Sequence, residues 1–371
     1  MSLSFRLPSF HMPLPSQPPS PAMEALEADT WQWAQSRDLL ANDAMREHLE
    51  RTQPWLTTAL YYPYADANAL RHIHRYMVLA FIVDDTFDDA ITGHDVATVR
   101  HLSTDLLRVS RQAPPASPAG RALAELLDAL SVGRSPVWRR LLGHANASWV
   151  ATYAVEAHAH QAGEPMRLHT YLPHRRHGVN EQIFLHLHEY TRGIEMPAHL
   201  RAHPALARTR ELACEHMGLC NDIFSADKEA AVGYSYNAVL ITSRDLDRPL
   251  QEAAEIVNDI LTGLIDQLDA TRAAAPAQLR AVGASQDQIE AALRLIDDQR
   301  QQVRGNHDYH YDPPRYHSVD TYMPTVIGPG QPNRTVPIYS SQTIVTDSTI
   351  PPSDPLPAGL ADTRPDEDRD G

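Results

Sequence analysis

The chain has 371 residues, 43% of them apolar, enough to bury a full core in one large domain or two smaller ones. Its 32 Lys and Arg against 47 Asp and Glu leave a formal charge of −15, which argues against a nucleic-acid backbone or an anionic membrane as partner. Only two cysteines occur, Cys214 and Cys220, both inside one expected helix, so no disulfide framework is supported and a reducing cytoplasm fits best.

Residues 1–22 form a proline-rich N-terminal segment. Its prolines fall where a signal peptide needs an unbroken apolar core, and no later run reaches the length of a membrane span. Phe5, Leu7 and Phe10 give this extended tail something to bury, as a cap would. From about residue 23 to about residue 310 the pattern turns helical, rich in Ala, Leu, Arg and Glu. Breaks are expected near Pro54, Pro63, Pro114–Pro115, Pro136, Pro173, Pro197 and Pro249. No run of alternating strands stands out, so the fold class expected is all-α. Beyond Tyr316, residues 317–371 lose helical spacing and gain proline and acids, the composition of a disordered extension. Within it, "TVPIYSSQTIV" could pair as a strand but has no evident partner.

Two stretches of the helical region carry chemistry. In "FIVDDTFDDA", residues 81–90, Leu70, Ile73, Met77, Ala80 and Phe81 precede Asp84 and Asp88 at spacings of three and four, one face of a helix that ends in carboxylates. Asp84 and Asp88, like Asp85 and Asp89, stand one turn apart, so their oxygens can converge on a hard dication such as Mg2+ that relieves their repulsion. The competing reading is a charge run on a solvated helix end. In "NDIFSADKE", residues 221–229, Asn221, Ser225 and Glu229 recur at i, i+4 and i+8. They stack an amide, a hydroxyl and a carboxylate on one face, a set that could complete an octahedral shell. The competing reading there is a polar helix face with Ser225 bonding back to a carbonyl.

The two stretches together resemble the class I terpene synthase family, of the single-domain bacterial and fungal type. "DDTFDD" resembles its aspartate-rich motif and "NDIFSADKE" its Asn-Ser-Glu triad, including Lys228 before the glutamate. Arg315–Tyr316 falls where the family has an Arg-Tyr pair, and "YLPHRRHGV" resembles the segment holding its diphosphate sensor. The resemblance implies a helical bundle around a central apolar cavity over residues 23–316. It implies Arg175 as sensor, Gly178 as linker and Val179 as effector at a helix break. It further implies three Mg2+ ions, with Mn2+ able to substitute, held by Asp84, Asp85, Asp88, Asp89, Asn221, Ser225 and Glu229. Three departures are visible: Tyr309 stands where the family usually has Trp, Asn180 where it often has Gly, and Pro313–Pro314 precede the Arg-Tyr pair. The last helix must therefore end early and a loop must deliver that pair.

The reaction that follows is ionisation of a linear prenyl diphosphate and cyclisation of the carbocation, a carbon–oxygen lyase activity. Farnesyl diphosphate is the favoured substrate and geranylgeranyl diphosphate the other. Arg175, Lys228, Arg315 and Tyr316 would grip the diphosphate. Phe81, one turn before Asp84, would face the cation with its ring, or else serve as ordinary core. Tyr309, Tyr61, Phe184 and Trp149 are weaker candidates of the same kind. The histidine pairs at 72 and 74 and at 186 and 188 point apart on a helix and suit packing rather than zinc. The alternatives are a chain-elongating prenyl transferase, which normally carries two aspartate-rich motifs, and a His-Asp metal-dependent phosphohydrolase, for which only His94–Asp95 and His307–Asp308 offer the pair. A non-catalytic scaffold with an acidic binding tail is a third. The partner expected is the small-molecule substrate, with no nucleic acid and no integral membrane span, and the assembly a monomer or homodimer.

Overall fold

In a computed structural model that describes residues 5–40 and 43–316, helix starts follow the capping chemistry of the sequence. The helices are α1 Met23–Ser36, α2 Asp43–Thr52, α3 Pro54–Tyr61, α4 Ala67–Thr92, α5 Val96–Ser110, α6 Pro118–Leu130 and α7 Pro136–Ala162. They continue as α8 Leu168–Gly178, α9 Glu181–Thr191, α10 Ala198–Arg201, α11 Pro204–Val232, α12 Ala238–Leu246, α13 Leu250–Ala281 and α14 Gln286–Tyr309, followed by a 3-10 turn at Pro314–Tyr316. Asp66 accepts the Asn68 and Ala69 amides at the start of α4, and Ser117 and Ser135 cap α6 and α7 with Pro at the first helical position. Ser285 and Gln288 close a reciprocal capping box on α14. Gly163 and Gly233 end α7 and α11 in the left-handed conformation that suits glycine.

No strand occurs among the described residues, so the all-α expectation holds. Most expected breaks fall at helix boundaries. Pro173 does not, because it sits inside α8. There the carbonyl left without its amide partner belongs to His169, which is exposed, so water can satisfy it. The expected disordered extension and the "TVPIYSSQTIV" strand lie outside the described residues.

The apolar stripe of α4 organises the core: Leu70 and Ile73 are fully buried and Met77 nearly so. Each such side chain contributes about 1.5–3 kcal/mol relative to exposure. α4 packs against α1, α3 and α6, while α11 lies along α13 and against α14 and α8. Cys214 and Cys220 are free and buried in α11.

Residues 5–20 run across the helices without helix or strand of their own. The Arg6 amide donates to Gln251, Asn258 donates to the Ser9 carbonyl at 2.9 Å, Arg304 to the Leu14 carbonyl at 2.8 Å, and the Ser20 amide to the Ala59 carbonyl at 3.0 Å. Phe5 and Phe10 pack on the core and Leu14 is buried. Leu7 instead is 42% exposed. Successive side chains of an extended segment point to opposite sides, and here positions 10, 12 and 14 take the inward side.

Candidate active site

The α4 stripe ends at the mouth of a pocket. Carboxylate oxygens of Asp84, Asp85 and Asp88 lie within 4.8 Å of one another, close enough to hold one metal ion. Tyr153 donates to Asp84. Asp85 is bracketed by the Arg315 guanidinium at 2.9 Å and His48 Nε2 at 2.5 Å. Desolvation and the charge of Asp85 raise the Asp84 carboxyl above its ordinary range, and desolvation with Asp84 lifts Asp88 well above it. At Asp85 burial pushes the same way, but Arg315 and His48 overcome it and hold the group ionised far below that range. Asp89 stands outside the trio, pushed up to about 6 by burial and Asp85.

Across the pocket, α11 presents Asn221, Ser225 and Glu229 on successive turns, with Ser225 and Glu229 buried. Asn221 Oδ1 accepts from Arg175 at 2.7 Å, while its Nδ2 donates to the Tyr316 hydroxyl and to His310 Nε2, 3.1 Å each. Glu229 accepts from Asn237 Nδ2 at 2.9 Å and is lifted to about 7 by burial and then by Asp222. The same Asn237 amide donates to Ser225 Oγ at 3.4 Å. Both donor sets offer oxygen, the chemistry that magnesium-like cations require.

Arg175 occupies the last turn of α8 and pairs with Asp222 at 2.9 Å. Its chain passes over Gly218, where a β-carbon would come within 2.9 Å of Arg175 Cγ; a larger residue would displace it. Gly178 ends α8, Val179 caps it, and Asn180 follows at φ 61° before α9. That left-handed residue gives the break its reason: glycine enters the region freely and asparagine is among the few others that do. The expected early end of the last helix is also seen: α14 stops at Tyr309, and the 3-10 turn carries Arg315 back to Asp85.

One pocket is lined by Asp84, Asp88, Asn221, Ser225 and Glu229, by Arg175, Lys228, Arg315 and Tyr316, and by Gly178 and Val179. Its apolar lining includes Phe81, with Arg315 5.5 Å over the ring, and Trp149, Phe184, Tyr61 and Tyr309. Residues 75–267, more than half of the chain, match the family described as terpene synthase family 2, C-terminal metal binding. The chain belongs to the terpene synthase family. Among its relatives, a (2Z,6E)-hedycaryol synthase of Kitasatospora setae is 30% identical over 257 residues, 68% of this chain and 75% of the relative. A pentalenene synthase of Streptomyces avermitilis is 27% identical over 312 residues, 83% and 92%. The solved hedycaryol synthase in complex with nerolidol superposes with a TM-score of 0.73 at 24% identity, over 82% of this chain and all of that one, a likeness of fold.

This terpene synthase is thus an enzyme of the lyase class that cyclises a prenyl substrate with a divalent metal, and no described helix is long and apolar enough to cross a membrane. Three of the four paired histidines are buried in the packing, where His74 bonds to Thr30 and Thr58, His188 to Tyr64 and Gln302, and His186 stacks on Trp138, while the partly exposed His72 meets the Tyr190 hydroxyl. Asp95 caps α5 and Asp308 is held by Arg304 and Ser16, and among the described residues neither His-Asp pair belongs to a ligand cluster.

Several terpene synthase pocket residues carry no local signal in the sequence. Glu181 accepts from the Tyr61 hydroxyl at 2.7 Å and from Gln302 at 2.6 Å, and Asn306 donates to Tyr61 at 2.8 Å. Glu156 accepts from Tyr234 and meets His174, 2.6 Å each. Their partners lie tens to hundreds of residues away. Asp222 alone could have been found, as an acid beside Asn221 on α11 that offers a counter-charge to Arg175 of α8.

Proposed function

We propose that the substrate is farnesyl diphosphate and that it is cyclised with Mg2+, three ions being shared between Asp84, Asp85, Asp88 and Asp89 on α4 and Asn221, Ser225 and Glu229 on α11. The observation that carries this reading is the convergence of both oxygen-donor sets on the mouth of one aromatic-lined pocket, with four groups suited to a diphosphate beside them. The donor set fits magnesium: it is all oxygen, and it gathers Asp84, Asp85 and Asp88 within 4.8 Å of one another. A relative from Streptomyces viridochromogenes, a 7-epi-alpha-eudesmol synthase that cyclises (2E,6E)-farnesyl diphosphate and is 24% identical over 318 residues, supports the choice of a C15 substrate.

When bound, the metal neutralises charge developing on the leaving diphosphate. This chain's residues do the rest. Arg175, Lys228, Arg315 and the Tyr316 hydroxyl hold the diphosphate oxygens by hydrogen bonds, three of them charge-assisted. Arg315 has to leave Asp85 for the substrate, which frees that carboxylate. Arg175 senses the diphosphate at the end of α8, and Gly178 and Val179 pass its position into the pocket through the break at Asn180. Phe81 offers its ring face to the allylic cation, a contact worth about 1–2 kcal/mol when desolvated. The buried free thiols fit a reducing, cytoplasmic setting.

The test is incubation of purified protein with Mg2+ and farnesyl, geranylgeranyl or geranyl diphosphate, with and without isopentenyl diphosphate. Extracts are read by gas chromatography and mass spectrometry. A cyclic C15 product and released diphosphate without isopentenyl diphosphate are expected. Activity only when isopentenyl diphosphate is added would replace the reading with chain elongation.

A further inference from the structure

The N-terminal segment touches the metal-ligand helix at one point. Phe10 stacks on Phe224, ring centroids 5.4 Å apart and planes within 6°, and meets the edges of His307 and Tyr311. Phe224 stands between Asn221 and Ser225 on α11. Tyr311 meets it edge-on at 5.1 Å, and its remaining ring neighbours are His310, at 5.1 Å, and Tyr316, at 6.2 Å and near perpendicular. Those two rings carry the atoms that hold the Asn221 amide. An aromatic chain therefore runs from the N-terminal segment, through Phe224, to one candidate ligand and to the Arg-Tyr turn.

The segment is anchored on both sides of Phe10. Before it, the Arg6 amide and carbonyl exchange bonds with the Gln251 side chain, and the Ser9 carbonyl accepts from Asn258, both on α13. After it, Arg304 holds the Leu14 carbonyl and Ser16 donates to Asp308 at 2.7 Å, both on α14. Phe10 is thus pinned at the seam where α13, α14 and α11 meet. A free tail would lose the entropy of ordering a phenylalanine for a weak contact; with flanking backbone already held, the stacking energy acts on Phe224.

We propose that residues 5–16 are a strap whose Phe10 is a positioning residue for metal and diphosphate binding, acting through Phe224 on Asn221 and the Arg315–Tyr316 turn. This rests on the metal-site reading above. It does not require Phe10 to touch substrate. The half-buried ring leaves one side to solvent, so its removal opens no large core cavity, yet Phe224 loses the only stacked partner among the described rings.

Titration calorimetry of the full chain with Mg2+ in the presence of inorganic diphosphate tests it, beside thermal melts of the metal-free protein. Phe10→Ala is expected to weaken the apparent affinity about two- to tenfold, the range one aromatic pair allows. Phe10→Tyr, which keeps the ring, should restore it. The metal-free melting temperature should stay close to the wild type in both. Should Phe10→Ala fail to fold, the double change Gln251→Ala with Asn258→Ala loosens the strap from α13 and should shift affinity in the same direction. Unchanged affinity in the folded variants would overturn the strap proposal while leaving the metal site intact. A wild type that binds neither Mg2+ nor diphosphate would instead remove the metal-site reading, and the strap's role with it.

Discussion

At the scale of single residues, the site crowds three acids whose mutual repulsion a bound cation would relieve. Asp84, Asp85 and Asp88 repel one another, and Arg315 already satisfies the most ionised of them. Asp84→Ala should lower turnover at least about a hundredfold, as loss of a transition-state charge stabiliser does. It should not lower the melting temperature of the metal-free protein. Kinetics and a thermal melt check both halves, and near-normal turnover would remove Asp84 from the ligand set. Glu181 gives a second expectation at this scale. Burial, opposed by the Tyr61 and Gln302 donors, lifts its carboxyl to about 7, from 4.5 in the unfolded chain. The folded protein therefore holds a proton that the unfolded chain releases above 4.5. Stability from this group is fully present below about 4.5 and lost as pH rises through 7. Metal-free wild type should lose more melting temperature between pH 5 and pH 8 than Glu181→Gln does; parallel curves would contradict the shift.

At the scale of elements, two close approaches position the pocket. α14 crosses α3 at Gly305, where a β-carbon would lie 2.5 Å from the Leu60 carbonyl oxygen. Backbone cannot yield as a side chain can, so Gly305→Ala should cost about 1–3 kcal/mol by forcing the helices apart. Denaturant unfolding measures it, and a neutral result would mean α14 can slide. The break between α8 and α9 is the other element. Asn180 sits in the left-handed region. Asn180→Gly should fold normally, whereas Asn180→Val should cost roughly 1–2 kcal/mol and blunt the response of the pocket to diphosphate. Unfolding midpoints of the two variants test the ordering. Gly218 belongs here as well, since its missing side chain is what lets the Arg175 stem cross α11.

At the scale of the whole molecule, ligand binding should join α4, α11, α8 and the Arg-Tyr turn into one unit. Mg2+ and inorganic diphosphate together should raise the melting temperature, with about 2.7 kcal/mol gained at a hundredfold excess over the dissociation constant. Chelation should reverse the gain, and an equal rise with sodium chloride would mark it as mere charge screening. At this scale the sequence carried far. The 3.6-residue spacing of Leu70, Ile73 and Met77 leading into Asp84 and Asp88, and the i, i+4, i+8 ladder of Asn221, Ser225 and Glu229, are local properties of a helix. They can be read wherever a helix is certain. The same holds for the early end of α14 ahead of Pro313–Pro314. What lies beyond that reach depends on pairs distant in the chain. Tyr61 with Glu181, Glu156 with Tyr234, His48 with Asp85, and Phe10 with Phe224 meet only because helices cross, and nothing in a local pattern encodes which crossing occurs. By itself the sequence determined the helices and which of their faces end in oxygen donors, because backbone geometry sets that spacing. Only the tertiary structure decided that the two faces share one pocket, and which buried partners hold each donor in place, because packing between distant segments alone brings those atoms within bonding distance.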